Sequence, residues 1–197
     1  MVSGSLKPRL LDLFCGAGGA GMGYHRAGFG EIVGVDIAPQ PRYPFEFVQA
    51  DALEYVAEHG HEFDAIHASP PCQRYSVMSR NDKEYPDLGA PYGYGFVLCG
   101  SMFGLVVRRH RNFETSWLHL MGLRCDHAGQ GRPITVTGHG GGLTSRHSDK
   151  GVKAEWPQYM GMPWATPKEC TQAIPPAYTE HIGQALIQNL AHQKAVL

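Results

Sequence analysis

Short apolar runs alternate with polar, glycine-rich or acidic junctions along the first seventy positions. Leu10-Leu11-Asp12-Leu13-Phe14 reads as a first strand and runs straight into Cys15-Gly16-Ala17-Gly18-Gly19-Ala20-Gly21-Met22-Gly23. The spacing predicts a helix from Gly19 to Ala27, stopped by Gly28 as a C′ residue. Glu31 to Ile37 reads as a second strand with an acid, Asp36, near its C-terminal end. Phe45 to Gln49 fits a short third strand, and Asp51 to Glu58 a helix. Phe63 to Ser69 reads as a buried strand cut short by Pro70-Pro71. This order is the first half of a doubly wound α/β fold.

The pattern degrades after Cys72. Arg74 to Gly95 has no clear period. Phe96-Val97-Leu98-Cys99 and Val106-Val107 are short apolar pieces around a turn, and 110–155 is rich in His, Gly and Arg. A final helix is expected from Thr179 to Leu197, where Ile182, Leu186, Ile187 and Leu190 recur at helical spacing. The expected organisation is an α/β domain over 1–111, a small loop-rich region over 112–155, and a segment over 156–197 that returns to the first domain.

Composition narrows the classes. The chain has 197 residues with 43% apolar content, enough for one core and a small lobe. A net charge of −1 carries no global signature of nucleic-acid binding, so any such surface must be local. Five cysteines with no CxxC pair suit a reducing compartment better than a disulfide framework. Cys125-Asp126-His127 supplies too few ligands for a closed zinc site, so no metal is expected. No apolar run approaches the roughly 20 residues of a membrane helix. Met1–Arg9 does not look like a signal peptide. A cytoplasmic monomer without membrane contact is therefore expected.

The candidate chemistry gathers at strand ends. Gly16-Ala17-Gly18-Gly19-Ala20-Gly21 fits a loose GxGxxG, which lets backbone amides approach a ligand at a helix N-terminus. Asp36 can hydrogen-bond a ribose diol, and Asp51 can accept from an adenine amino group. Cys72 follows a strand end and two prolines, so its thiol is held at the edge where open parallel sheets bind ligands. A lone cysteine is more often a small buried hydrophobe; its company here favours a nucleophile.

Together these residues resemble the DNA (cytosine-5) methyltransferase family. Asp12-Leu13-Phe14-Cys15-Gly16-Ala17-Gly18-Gly19 is similar to its first motif, and Pro70-Pro71-Cys72-Gln73 to its cysteine motif. Asp36 and Asp51 fall in the family's order. Arg109-His110-Arg111 matches its arginine-x-arginine motif and Arg132-Pro133-Ile134-Thr135 its Arg-Pro-x-Thr motif. The stretch Leu98 to Gly104 looks like short, phage-type members. Glu155 to Ile187 resembles the closing segment that returns to the cofactor site.

The resemblance implies a Rossmann-like methyltransferase using S-adenosyl-L-methionine to methylate C5 of cytosine in double-stranded DNA, in a bacterial or phage-infected cell. It implies Cys72, Arg109 and Arg111 as catalytic residues. It implies Phe14, Gly16, Gly18, Asp36, Ile37, Asp51, Ala52 and Pro70 at the cofactor, and Gln73, Arg108, Arg132 and Thr135 at DNA. If Arg109 and Arg111 lie on one extended segment, both point the same way.

One family part is missing. No Glu-Asn-Val stands between the cysteine and the arginines. A helix of about 12 residues and a strand of about 5, with loops, would nearly fill that interval. Instead Pro86 to Gly93 reads as a seam where one helix-strand unit is absent. Three rivals follow: an impaired relative that binds cofactor or DNA without turnover, a nicotinamide- or flavin-dependent oxidoreductase, and a DNA-binding module without chemistry.

Overall fold

The computed structural model describes residues 7–70, 94–117, 122–136, 149 and 151–196. Pro71, Cys72, Gln73 and the Pro86–Gly93 seam lie outside the described residues. Four parallel strands form the main sheet: β1 (Arg9–Leu13), β2 (Glu31–Asp36), β3 (Glu46–Gln49) and β4 (Ala65–Ala68), in the order β3-β2-β1-β4. Helix α1 (Gly19–Ala27) links β1 to β2, and α2 (Ala52–His59) links β3 to β4. This is the doubly wound half that the apolar runs predict. The last strand is shorter than expected; just before it, the Asp64 amide bonds the Arg9 carbonyl while its carboxylate accepts from the Arg9 amide.

Pleat alternation sorts the strand residues onto two faces. Leu11, Leu13, Val33 and Val35 pack with Ala52 of α2 on one side. Leu10 and Ile32 pack on the other with Tyr24 of α1, Phe29, and Tyr178 and Ile182 of the C-terminal helix. A second, antiparallel sheet follows. It pairs β5 (Tyr94–Leu98) with β6 (Arg111–Thr115). The division expected after residue 111 therefore falls inside β6. Two short helices, α3 (Trp156–Tyr159) and α4 (Pro167–Cys170), lead to α5 (Pro176–Val196). Helix α5 begins at a proline, three residues before the expected start; a proline at the first turn loses no intrahelical bond. No described helix is long and apolar enough to cross a membrane.

Helix α5 closes the molecule by lying on α1. The approach is so close that a Cβ at Gly23 would stand 2.0 Å from Thr179 Oγ1 and 2.2 Å from the Pro176 carbonyl oxygen. Thr179 Oγ1 in turn donates to the Ala20 carbonyl at 2.9 Å. Gly23 costs helix propensity and returns it as contact between two helix backbones.

Two titratable groups are buried on the α1 face, at paired positions of β1 and β4: Asp12 and His67. Asp12 Oδ2 accepts from the Gly21 amide and the Tyr43 hydroxyl, while Oδ1 has no hydrogen-bond partner among the described residues. Burial pushes its carboxyl up to about 7, against the pull of those two bonds. His67 lies between the Tyr24 hydroxyl and Ser69 Oγ, and burial pushes it down to about 4.

Two expected outcomes follow from this packing. Gly23→Ala gains up to about 1 kcal/mol of helix propensity, yet must displace backbone. Net destabilisation of about 1–3 kcal/mol is expected in urea unfolding; a more stable variant would mean that α5 does not rest on α1.

The second outcome concerns pH. From about pH 4 to 7, folded Asp12 keeps a proton that the unfolded chain has lost, so its contribution falls as pH rises. From about pH 6.5 down to 4, folded His67 refuses a proton that the unfolded chain binds, so its contribution falls as pH falls. The slopes oppose each other. Asp12→Asn should therefore make stability drop on acidification by about 1 kcal/mol per pH unit more than in the parent, and His67→Gln should tilt it the other way. Identical pH profiles for parent and variants would rule out both burials.

Candidate active site

Parallel strands deliver their C-terminal ends to one edge, and the candidate cofactor residues collect there. The chain leaves β1 through Phe14, whose φ of 56° is left-handed. A bulky residue rarely adopts that conformation, and such strain clusters at ligand sites. Gly18 caps α1 with a φ of 79° and has no side chain to occupy the first-turn amides. The Gly16 amide donates to Asp36 Oδ2 at 3.0 Å, tying the loop after β1 to the end of β2. Asp36 Oδ1 accepts from the Ala38 amide at 3.0 Å. A Cβ on Gly16 would meet nothing within 4 Å, so open space adjoins this loop. Ile37 beside Asp36 is 73% exposed, an uncovered apolar side chain next to an acid.

Asp51 has a structural task that sequence reasoning missed. Its Oδ1 accepts from the Leu53 and Glu54 amides and caps α2. Ala52 buries its methyl group in the core, so only its backbone can face a ligand. Pro70 is exposed just past β4, where the Ser69 amide still bonds the Leu13 carbonyl.

Residues of the C-terminal segment reach the same edge. Trp164 Nε1 donates to the Ala17 carbonyl at 2.8 Å. The Arg42 guanidinium forms a two-pronged pair with Glu169, Nη2 to Oε1 at 2.6 Å and Nε to Oε2 at 3.0 Å. Arg42 holds the Glu169 carboxyl below its ordinary range despite the opposing effect of burial. Tyr43, Trp164 and this ion pair carry no periodic signal, because isolated residues in Pro- and Gly-rich stretches belong to no pattern. Cys15 is buried under the glycine loop. Burial, and then the carboxylates of Asp12 and Asp36, push its thiol far above the ordinary range, which makes it inert.

The expectation that Arg109 and Arg111 lie on one extended segment needs correction. Arg109 precedes β6, so it shares no pleat with Arg111. Arg109 is buried, with its guanidinium donating to the carbonyls of Val136 at 2.9 Å and Thr171 at 2.7 Å. Its own carbonyl accepts from the Tyr178 hydroxyl. The side chain thus joins the loop-rich lobe to the C-terminal segment. Arg108 binds Gln130 Oε1 and the His127 carbonyl, and Arg111 donates to the His110 carbonyl. Arg132 is exposed and lies 3.9 Å from Asp149. The Thr135 amide donates to the Asp149 carbonyl.

The ligand count for a metal also changes. Cys125 and His127 are joined by Cys99 and His110, with all four donor atoms within 4.8 Å of one another. The expectation of no metal counted one short segment, whereas the fold adds two donors from the β5–β6 hairpin.

The first part of the chain is similar to known proteins. A family model described as C-5 cytosine-specific DNA methylase matches residues 8–87. Type II methyltransferase M.AgeI of Thalassovita gelatinovora is 30% identical over 106 residues, covering 45% of this chain and 24% of that protein. Type II methyltransferase M.XorII of Xanthomonas oryzae pv. oryzae is 29% identical over 131 residues, covering 54% and 31%. Type II methyltransferase M1.HphI of Haemophilus parahaemolyticus is 28% identical over 90 residues, covering 39% and 24%. The aligned part spans between a quarter and a third of the length of these relatives. The glycine loop, the strand-end acids and the parallel sheet all lie inside residues 8–87, the part of the chain that is similar to the C-5 cytosine-specific DNA methylase family.

Proposed function

We propose that this chain binds S-adenosyl-L-methionine at the strand-end site and acts on C5 of cytosine in double-stranded DNA, with Cys72 as nucleophile. The observation that carries the reading is the Gly16–Asp36 tie beside open space and the exposed Ile37. These residues suit the cofactor: a partly exposed carboxylate for a ribose diol, an uncovered apolar side chain for a flat base, and a side-chain-free helix start. When bound, the cofactor supplies a methyl group on a sulfonium.

The chain's own part is to hold and activate the base. The Cys72 thiolate would add to C6 of a cytosine turned out of the duplex, at a cost of a few kcal/mol in lost pairing and stacking. The addition makes C5 nucleophilic. After transfer, loss of the C5 proton expels the thiol and restores the ring. Arg111 and Arg132 are candidates for phosphate contact, and Gln73 and Thr135 for contact with the DNA beyond the base.

A specific observation favours a second reading, in which the chain binds cofactor but transfers methyl groups slowly. The family match ends at Asp87, beside the seam, and no Glu-Asn-Val follows it. The Arg109 guanidinium donates to two backbone carbonyls. A preorganised donor to the ring is typically worth 10²–10³ in rate.

Isothermal titration should show binding of S-adenosylmethionine in preference to NAD. Asp36→Ala should weaken it by about 1.5–3 kcal/mol, both through the lost acceptor and through the freed Gly16 loop. Unchanged affinity would remove Asp36 from the site, and preference for NAD would support the oxidoreductase.

Methyl transfer is tested with tritiated cofactor and duplex DNA. Slow incorporation is expected from the chain as it stands, and turnover of a few per minute would overturn the slow reading. On long incubation with cofactor, DNA containing 5-fluorocytosine should accumulate a covalent adduct at Cys72, because after one methyl transfer fluorine cannot leave as a proton does. Equal trapping by Cys72→Ser would exclude this thiol.

A further inference from the structure

The four donors Cys99, His110, Cys125 and His127 converge from three places in the sequence that no simple spacing connects. Leu98 and Arg111 are the last paired residues of the β5–β6 ladder, so Cys99 and His110 are the next positions across that hairpin end. Cys125 and His127 come from the loop 122–130. Cys99 Sγ lies 3.4 Å from His127 Nε2, and Cys125 Sγ lies 3.5 Å from His110 Nε2. A tetrahedral zinc ion with bonds of about 2.3 Å to sulfur and 2.0–2.1 Å to nitrogen separates a sulfur and a nitrogen ligand by about 3.5 Å. Both measured separations match that figure. The His110 and His127 rings stand edge to face with centroids 5.1 Å apart, so their Nε2 atoms approach the centre from different directions.

The surroundings are those of a supported site. Ser101 Oγ donates to Cys99 Sγ at 3.3 Å and accepts from the Asp126 amide at 3.2 Å. Arg108 holds the His127 carbonyl and Gln130, and Gln130 Nε2 in turn reaches the carbonyls of Leu105 and Val107. These contacts hold in place a loop that is largely exposed and polar and has little apolar surface to bury.

We propose that Cys99, His110, Cys125 and His127 form a structural zinc site that staples the loop 122–130 to the β5–β6 hairpin. Two thiolates and two imidazoles are the donor set of a closed tetrahedral centre, with no position left for water or substrate. Soft sulfur with imidazole selects zinc over magnesium or calcium, which prefer oxygen. Binding exchanges two thiol protons for one Zn²⁺, so the site carries no net charge. His110 sits between Arg109 and Arg111, so the ion would also fix the start of β6. The inference does not depend on the methyltransferase reading.

The test uses the full chain purified under reducing conditions. Elemental analysis should find one zinc per chain. Replacement by cobalt(II) should give the visible bands of a tetrahedral ion together with ultraviolet thiolate charge transfer. Cys125→Ser, chosen because this thiol is exposed and its loss leaves the core intact, should weaken zinc by at least about a hundredfold in competition with a chelator. His127→Ala should do the same. Chelator should lower the melting temperature of the parent but not of Cys125→Ser. A parent chain without zinc that gives no tetrahedral cobalt spectrum on loading would overturn the proposal. So would full zinc retention in Cys125→Ser, or a Cys99–Cys125 disulfide in the parent found by mass spectrometry.

Discussion

One side chain, Tyr43, sets the geometry on which the candidate cofactor edge depends. Its ring lies so close to β2 that a Cβ on Gly34 would stand 2.2 Å from it. The same ring crowds Gly18 at the start of α1, and its hydroxyl reaches down to the buried Asp12 carboxyl. Three glycines (18, 21 and 34) leave room for one aromatic residue, and that residue locks the loop after β1 against the second strand. A methyl group at Gly34 would push the ring out, free the Asp12 oxygen and loosen the turn through Phe14 and Gly16. The glycines of the loop therefore divide their work. Some give backbone freedom beside the open space, and others make room for protein.

The closing segment completes what Tyr43 begins. Trp164 reaches the Ala17 carbonyl, Arg42 grips Glu169, and Met162 and Ala17 share an apolar cluster with Trp156 and Met160. The glycine loop is thus held on one side by its own sheet and on the other by residues some 150 positions later. A partly buried two-pronged arginine–carboxylate pair of this kind carries geometric information that an exposed single contact does not.

The first seventy residues were legible because their physics is local. Strands buried on both faces read as apolar runs, a helix stop reads as Gly28, and acids read as strand ends. The second half was opaque because its order rests on partners distant in sequence. Arg109 finds its carbonyls 27 and 62 positions away, and no window of sequence shows such a distant pairing. Cys99 and His110 are eleven positions apart and become neighbours only through strand pairing, so motif spacing could not reveal them. Asp51 was noticed for the right reason, an acid after a strand, but the adjoining helix start uses one of its oxygens.

The contact between α1 and α5 also sets the order in which the chain can fold. Thr179 bonds the carbonyl of Ala20 across 159 positions, and Tyr178 and Ile182 cover Tyr24, Phe29 and Ile32. At roughly 5–20 residues per second of synthesis, the first sheet waits on the order of ten seconds for the helix that covers this face. During that interval its apolar surface is open to water and to other nascent chains, and contacts of such long range form slowly even once both partners exist. Until α5 has been made, this face is therefore the part of the growing chain most open to non-native contact.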